Sequence, residues 1–268
     1  MISKRDEERA KRLVREAIER ALSDMREYVN RTLLDGGEPD RRMLVQMTQG
    51  LNALADEYAL DLTAGPWGEM IEGAMKDAAA EVAKVAAAGG IGTEGFFQVG
   101  RREVETALFK SYGGIKGILA EGEQVVAEEV LRSVVGGASK REIATTIAER
   151  LQVADAAGDM GAIPAWRAEL VARNELMANY RLTSRAAAEE RGFTHYKMEG
   201  PDDDRTADDV CSRYLGEIHT PEEWEQIGEK EGIDPAYPLM EYGFHVNCRH
   251  RWPPVPSVDA VSTGAELD

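Results

Sequence analysis

Apolar residues recur at three- and four-residue steps along most of the chain. Val14, Ile18, Leu22, Met25, Val29 and Leu33, with charges between them, predict one long amphipathic helix over residues 4–34. Asp35-Gly36-Gly37-Glu38-Pro39 should end it, because glycine relieves a helix terminus and proline discourages continuation. Leu44, Met47, Leu51, Leu54 and Tyr58 predict a second helix over 40–60, packed on the first as an antiparallel hairpin or on a neighbouring subunit. After Gly65-Pro66, Ile71, Ala74, Ala78, Val82 and Val85 mark a third helix over 67–88. The glycine-rich run from Gly89 to Gly95 lacks the Gly-Lys-Ser/Thr ending of a phosphate loop and follows no strand pattern, so it reads as a hinge. A short helix over 101–111 should be cut off by Gly113-Gly114. Another over 115–135 turns Leu119, Val126, Val130 and Val134 inward and closes at Gly136-Gly137.

Ser139 with Glu142 three residues later is a capping-box pattern, opening a helix to Leu151 with Ile143 and Ile147 buried. A loop through Gly158 and Gly161 leads to Pro164 at the start of a helix over 165–191. Its stripe of Trp166, Leu170, Met177, Tyr180 and Ser184 includes Arg173, which must snorkel outward or meet a carboxylate, since an unpaired buried charge is costly. Beyond Gly192 the period changes to two. Phe193 to Met198 reads as a strand, 206–214 as a short helix, and 217–219 as a second strand. Thr220-Pro221-Glu222-Glu223 opens a helix to Glu229, and Phe244 to Trp252 forms a last strand stopped by Pro253-Pro254. The expected fold is therefore mainly α. An extended helical part (1–135) precedes a small α+β C-terminal module (136–254), stapled by zinc if metal is bound, and a loose tail (255–268).

Charge narrows the partners. Forty-nine acidic residues against thirty-two basic ones leave a net charge of -17, which repels nucleic acid unless cations cluster. Neither specific DNA binding nor a membrane partner is expected. There is no apolar run long enough to span a bilayer, and the first twenty residues are charged throughout, so a cytosol-like compartment is the expectation. Arg outnumbers Lys by 23 to 9, and acid-rich, lysine-poor composition suits a high-salt proteome ahead of the alternative, a GC-rich genome.

Distinctive chemistry gathers late. Both cysteines, Cys211 and Cys248, and three of the four histidines, His219, His245 and His250, lie between Gly200 and Trp252. In extended backbone Cys248 and His250 would share one face. With Cys211, and His245 or His219 as a fourth ligand, they could hold a tetrahedral zinc and so hold together a small module. The same residues could instead simply pack, since a free cysteine behaves as a small apolar group. A Cys211–Cys248 disulfide ranks behind metal or free thiols. His195 stands apart and should be exposed. His245, Asn247 and His250 also suggest a metal-dependent nuclease or other hydrolase, although the local cations are few. Asp202, Asp203, Asp204, Asp208 and Asp209 lack the spacing of a cation loop and read as a solvated acidic turn. No motif compels an enzyme, and a cellular zinc-stapled interaction module is a further alternative.

Three stretches carry a resemblance: Ala172-Arg173-Asn174-Glu175; Asp204-Arg205-Thr206 with Cys211 before Leu215-Gly216; and His245-Val246-Asn247-Cys248-Arg249-His250. In order and spacing, over roughly 137–254, they resemble the Mu F-like head-morphogenesis family, minor head proteins of tailed phages and archaeal tailed viruses. That family has Ala-Arg-Thr-Glu and a closing His-Pro-Asn-Cys-Arg-Cys. Here Asn174 stands for Thr, Val246 for Pro and His250 for the last Cys, and the first cysteine of the middle pair is missing near Ala207. The resemblance implies a structural, non-enzymatic virion protein at the portal vertex, made in host cytoplasm, assisting head assembly, DNA packaging or genome delivery. Its partners would be the portal protein and neighbouring capsid proteins, with self-association through the N-terminal helices. It also implies that Arg173 and Glu175 serve a structural ion pair tying their helix to the terminal module.

Overall fold

The computed structural model describes residues 3–35, 41–91, 99, 101–136, 139–151, 153–154, 163–202, 210–245 and 248–256. Among these the chain is mainly helical, with a small strand pair in its C-terminal region. Its contacts divide it into two compact units built from interleaved segments. One, the helical unit, comprises Arg5–Glu69 and Leu108–Ala172; the other, the terminal unit, comprises Met1–Lys4, Met70–Ala107 and Arg173–Asp268. The sequence boundary at 135/136 is not where the contacts divide: residues 70–107 go with the C-terminal region, and 108–172 with the first two helices.

In the helical unit, α1 (Lys4–Asp35) buries its whole expected stripe, Val14 through Leu33. Each such aliphatic side chain contributes roughly 1.5–3 kcal/mol on leaving water. α2 (Arg41–Ala64) answers with Met47, Leu51, Ala55 and Ala59. Leu54 and Tyr58 are only half-buried. Tyr28 of α1 donates to the Gln46 carbonyl (3.1 Å), and Tyr58 donates to the carboxylate of Asp24. Lower positions of one helix thus meet higher positions of the other, the antiparallel hairpin that the stripes predicted. α3 (Pro66–Ala88) begins with proline at its first turn, where a missing N–H costs nothing. Its fully buried Trp67 donates Nε1–H to Ser111 Oγ at 2.6 Å.

Ser111 lies on α4 (Arg101–Gly136), and here the structure corrects the sequence reading. One helix runs straight through Gly113-Gly114, where a break was expected. Glycine inside a helix costs only about 1 kcal/mol relative to alanine. Buried Ile115, Ile118 and Leu119 immediately after the pair outweigh that cost. α5 (Lys140–Arg150) starts as expected, with Ser139 and Glu142 forming a complete capping box. β1 (Val153–Ala154) and β2 (Ile163–Pro164) make a two-residue parallel pair, and Pro164 leads directly into α6 (Ala165–Glu190). The loop expected through Gly158 and Gly161 lies outside the described residues, as does most of the hinge expected at 89–95. The loose tail expected at 255–268 lies outside them beyond residue 256.

The terminal unit packs the second half of α6 with β3 (Tyr196–Lys197), α7 (Val210–Tyr214), β4 (Ile218–His219), α8 (Pro221–Lys230) and α9 (Leu239–Tyr242). β3 and β4 pair antiparallel, Tyr196 opposite His219. Trp224 is the centre of this core. It is fully buried, donates Nε1–H to the Tyr196 carbonyl at 3.0 Å, and meets Trp252 edge-on at 6.0 Å. α8 is aimed at that position by the capping box of Thr220 and Glu223 and by Pro221 in its first turn. The last strand expected over 244–252 is absent among the described residues. Only single bridges form, Arg251 to Glu199 and Pro254 to Tyr196.

Candidate metal centre

The cysteines and late histidines come from two separate elements. Cys211 sits on α7, one short helix, while Cys248 and His250 sit on the irregular segment after α9. The three groups lie within 4.8 Å of one another and are 0%, 2% and 2% exposed respectively. The sulfurs are 3.9 Å apart, Cys248 Sγ is 3.7 Å from His250 Nδ1, and Cys211 Sγ is 3.3 Å from His245 Nε2. Both thiols are free, since a disulfide would need about 2.05 Å between sulfurs.

The histidines differ in what their rings face. His250 Nε2 lies 3.2 Å from the Pro201 carbonyl, to which it donates, so that the lone pair falls on Nδ1, facing Cys248. A backbone carbonyl fixing the far nitrogen is the usual support of a ligating imidazole. His245 is half-buried and approaches the cluster at Cys211; it is not within the mutually close set. His219, the alternative fourth ligand, is placed elsewhere. Its Nε2 is 2.9 Å from Glu217, its Nδ1 is 3.9 Å from Glu223, and its ring stands edge-on to Trp224. His195 is half-buried, not exposed as expected. Asn247 and Asp203 through Asp209 lie outside the described residues; Asp202 is exposed.

Two glycines let the ligand segment approach closely. Gly243 ends α9 with φ +86°, and a Cβ there would stand 2.6 Å from Cys248 Sγ and closer still to its Cβ. A Cβ on Gly200 would overlap the His250 ring and stand 3.0 Å from its Cα.

The residue that sequence reasoning missed is Arg181. Arg173 and Glu175 are half-buried on α6. Two turns on, Arg181 is buried and ties α6 to the Cys248–His250 segment. Its Nε and NH2 donate to the His250 carbonyl (2.9 and 2.6 Å), NH2 donates to Cys248 (2.6 Å), and NH1 donates to Glu241 (3.1 Å). Its carbon lies 5.4 Å from the centre of the Trp252 ring, a cation–π distance. The guanidinium thus takes the carbonyls of both Cys248 and His250.

Electrostatics follow. The Cys248 thiol is held well below its ordinary range, first by a hydrogen bond from Cys211, against burial, with His250 and the Arg181 charge adding to the effect. Burial drives the Arg181 pKa down, opposed by the sulfurs of Cys248 and Cys211. A second charged group lies behind. Glu81 of α3 accepts from Tyr180 and pairs with Arg251, whose NH2 also reaches Glu199 at 3.4 Å.

This donor set fits a metal ion. A tetrahedral zinc with bonds of about 2.3 Å to sulfur and about 2.05 Å to nitrogen separates sulfurs by about 3.8 Å and sulfur from nitrogen by about 3.6 Å. The sulfur–sulfur and Cys248–His250 spacings are within a few tenths of an ångström of those edges, and the whole set lies within 4.8 Å. Among the described residues, no helix is long and apolar enough to cross a membrane. Compared with family models, with curated proteins and with solved structures, the chain matches none.

Proposed function

We propose that this chain is a structural minor head protein of a tailed virus, acting at the portal vertex, with one zinc ion cross-linking its terminal unit. Cys211, Cys248 and His250 would supply two thiolates and an imidazole, with His245 as fourth ligand after a small turn of its ring. The ion would bring a Lewis-acidic, doubly positive centre that the two thiolates neutralise. A role in holding structure, not in turnover, is supported by burial: catalytic zinc keeps an open position, whereas these three ligands are sealed from solvent.

The observation that carries the reading is the meeting of two stretches behind the family resemblance. The Cys211 segment and the Cys248–His250 segment, thirty-seven residues apart at their sulfurs, form one buried cluster with metal-ligand spacing. Docking on the portal protein and its neighbours would use helix faces, and exposed Val45, Leu60 and Phe109 on α2 and α4 offer apolar contacts for that purpose or for self-association.

Several experiments test it. Protein purified under reducing conditions should carry one zinc per chain by elemental analysis and lose it in a Cys211→Ser variant. Mass spectrometry of virions, and co-purification with the portal ring, should find the chain at the head. Incubation with DNA and magnesium, manganese or zinc should give no cleavage. Metal-dependent cleavage abolished by His245→Ala would replace this reading with a nuclease.

A further inference from the structure

We infer that Arg181 is the positioning residue of this metal centre: its buried guanidinium sets the backbone of Cys248 and His250 in ligating geometry before any metal arrives. The inference rests on the zinc reading above and deepens it. Metal sites in small modules commonly fold only with their ion, and the sequence alone suggested such a staple. The hydrogen bonds describe something else. Cys248 and His250, two residues apart, both present their carbonyls to one planar fork on α6. With the carbonyls fixed, both side chains are directed toward Cys211. A third carbonyl, Glu241 on α9, joins the same fork and anchors the start of the segment.

Arg181 is itself buried, and its carbon lies 5.4 Å from the centre of the Trp252 ring, which holds the fork in place. Lysine could keep the charge but could not span three carbonyls, because an ammonium lacks the rigid fork. Zinc would then add the one link that Arg181 does not make, from the Cys248 segment to α7.

The test uses the full chain as wild type, Arg181→Lys and Arg181→Gln, each reduced and stripped of metal by chelator. Zinc affinity is measured by chelator competition, coordination by the visible spectrum of the cobalt(II) form, and segment order by amide hydrogen exchange. In the metal-free wild type, the mutually bonded amides of Glu199 and Arg251 should stay protected. Both variants should bind zinc about 10- to 100-fold more weakly, the usual cost of losing a group that supports ligands. Their cobalt spectra should also shift. A merely structural arginine would lower stability yet leave the affinity and cobalt spectrum of the folded protein unchanged, and that result overturns the inference. So does loss of Glu199 and Arg251 protection on removing metal from wild type, which decides the matter even if neither variant folds. Wild type that takes up no zinc refutes the metal reading itself, and this inference falls with it.

Discussion

Three glycines of the terminal unit allow backbone conformation and close packing to be separated by single substitutions. Gly232, after α8, has φ +80° with open space where a Cβ would go. Gly232→Ala should therefore cost only the left-handed conformation, about 1–2 kcal/mol. Gly200 has no such backbone demand but faces the His250 ring and Cα, so Gly200→Ala should cost the overpacking term, about 1–3 kcal/mol. Gly243 combines both, with φ +86° and Cys248 directly against it, and Gly243→Ala should cost about 2–5 kcal/mol. Urea unfolding followed by tryptophan fluorescence would measure all three, since Trp224 and Trp252 report on this core. Zinc uptake adds a second axis: Gly243→Ala and Gly200→Ala displace ligands and should weaken it, whereas Gly232→Ala should not. If Gly243→Ala proves no more destabilising than Gly232→Ala, the close approach to Cys248 is not what the structure says it is.

Other expectations are simpler. Trp67→Phe strands Ser111 Oγ in a fully buried position and should destabilise the protein by about 1–3 kcal/mol in thermal or urea unfolding. Thr220→Ala removes the cap of α8 and should cost about 1 kcal/mol, seen as a lower unfolding midpoint. Burial pushes the Glu81 carboxyl up, but Tyr180 and Arg251 outweigh it and hold it below the ordinary glutamate value of 4.5. Its contribution is therefore complete above about that pH. It fades as pH falls through the lower, folded value, so Glu81→Gln should be less stable at neutral pH and lose less stability on acidification. Unfolding midpoints measured from pH 7 down to pH 3 would check this, and parallel curves for the two proteins would contradict it.

Much of the helical unit was legible because each early helix solves a local problem. α1 carries one apolar stripe, and every residue of the stripe from Val14 to Leu33 is buried. The caps at Ser139 and Thr220 are likewise local, and both form. The glycine pair in α4 misled because the cost of glycine is local while the burial that overrides it at Ile115 and Leu119 is not. Cys211, Cys248 and His250 were legible as a group through residue type and crowding. Their supporting arginine was not. Arg181 stands about 80° from Arg173 on a helical wheel, off the stripe that drew attention, and what gives it a role is carbonyls sixty to seventy residues further on. His219 was drawn into the ligand list by type alone. It sits where β4 hands over to α8, with Nε2 2.9 Å from the Glu217 carboxylate.

The interleaving of the two units has a consequence for biosynthesis. As the nascent chain leaves the ribosome, α1 and α2 emerge first, but their unit cannot be completed until residue 172 is out. Residues 70–107 must wait longer, for partners that begin at 173. A truncation near 135, the obvious cut from sequence, would remove α5 and the Leu108–Ala172 segment's end from one unit and the whole Arg173–Asp268 segment from the other. Limited proteolysis should accordingly yield fragments that stay associated after nicking, because each unit is assembled from segments that no single cut can separate cleanly.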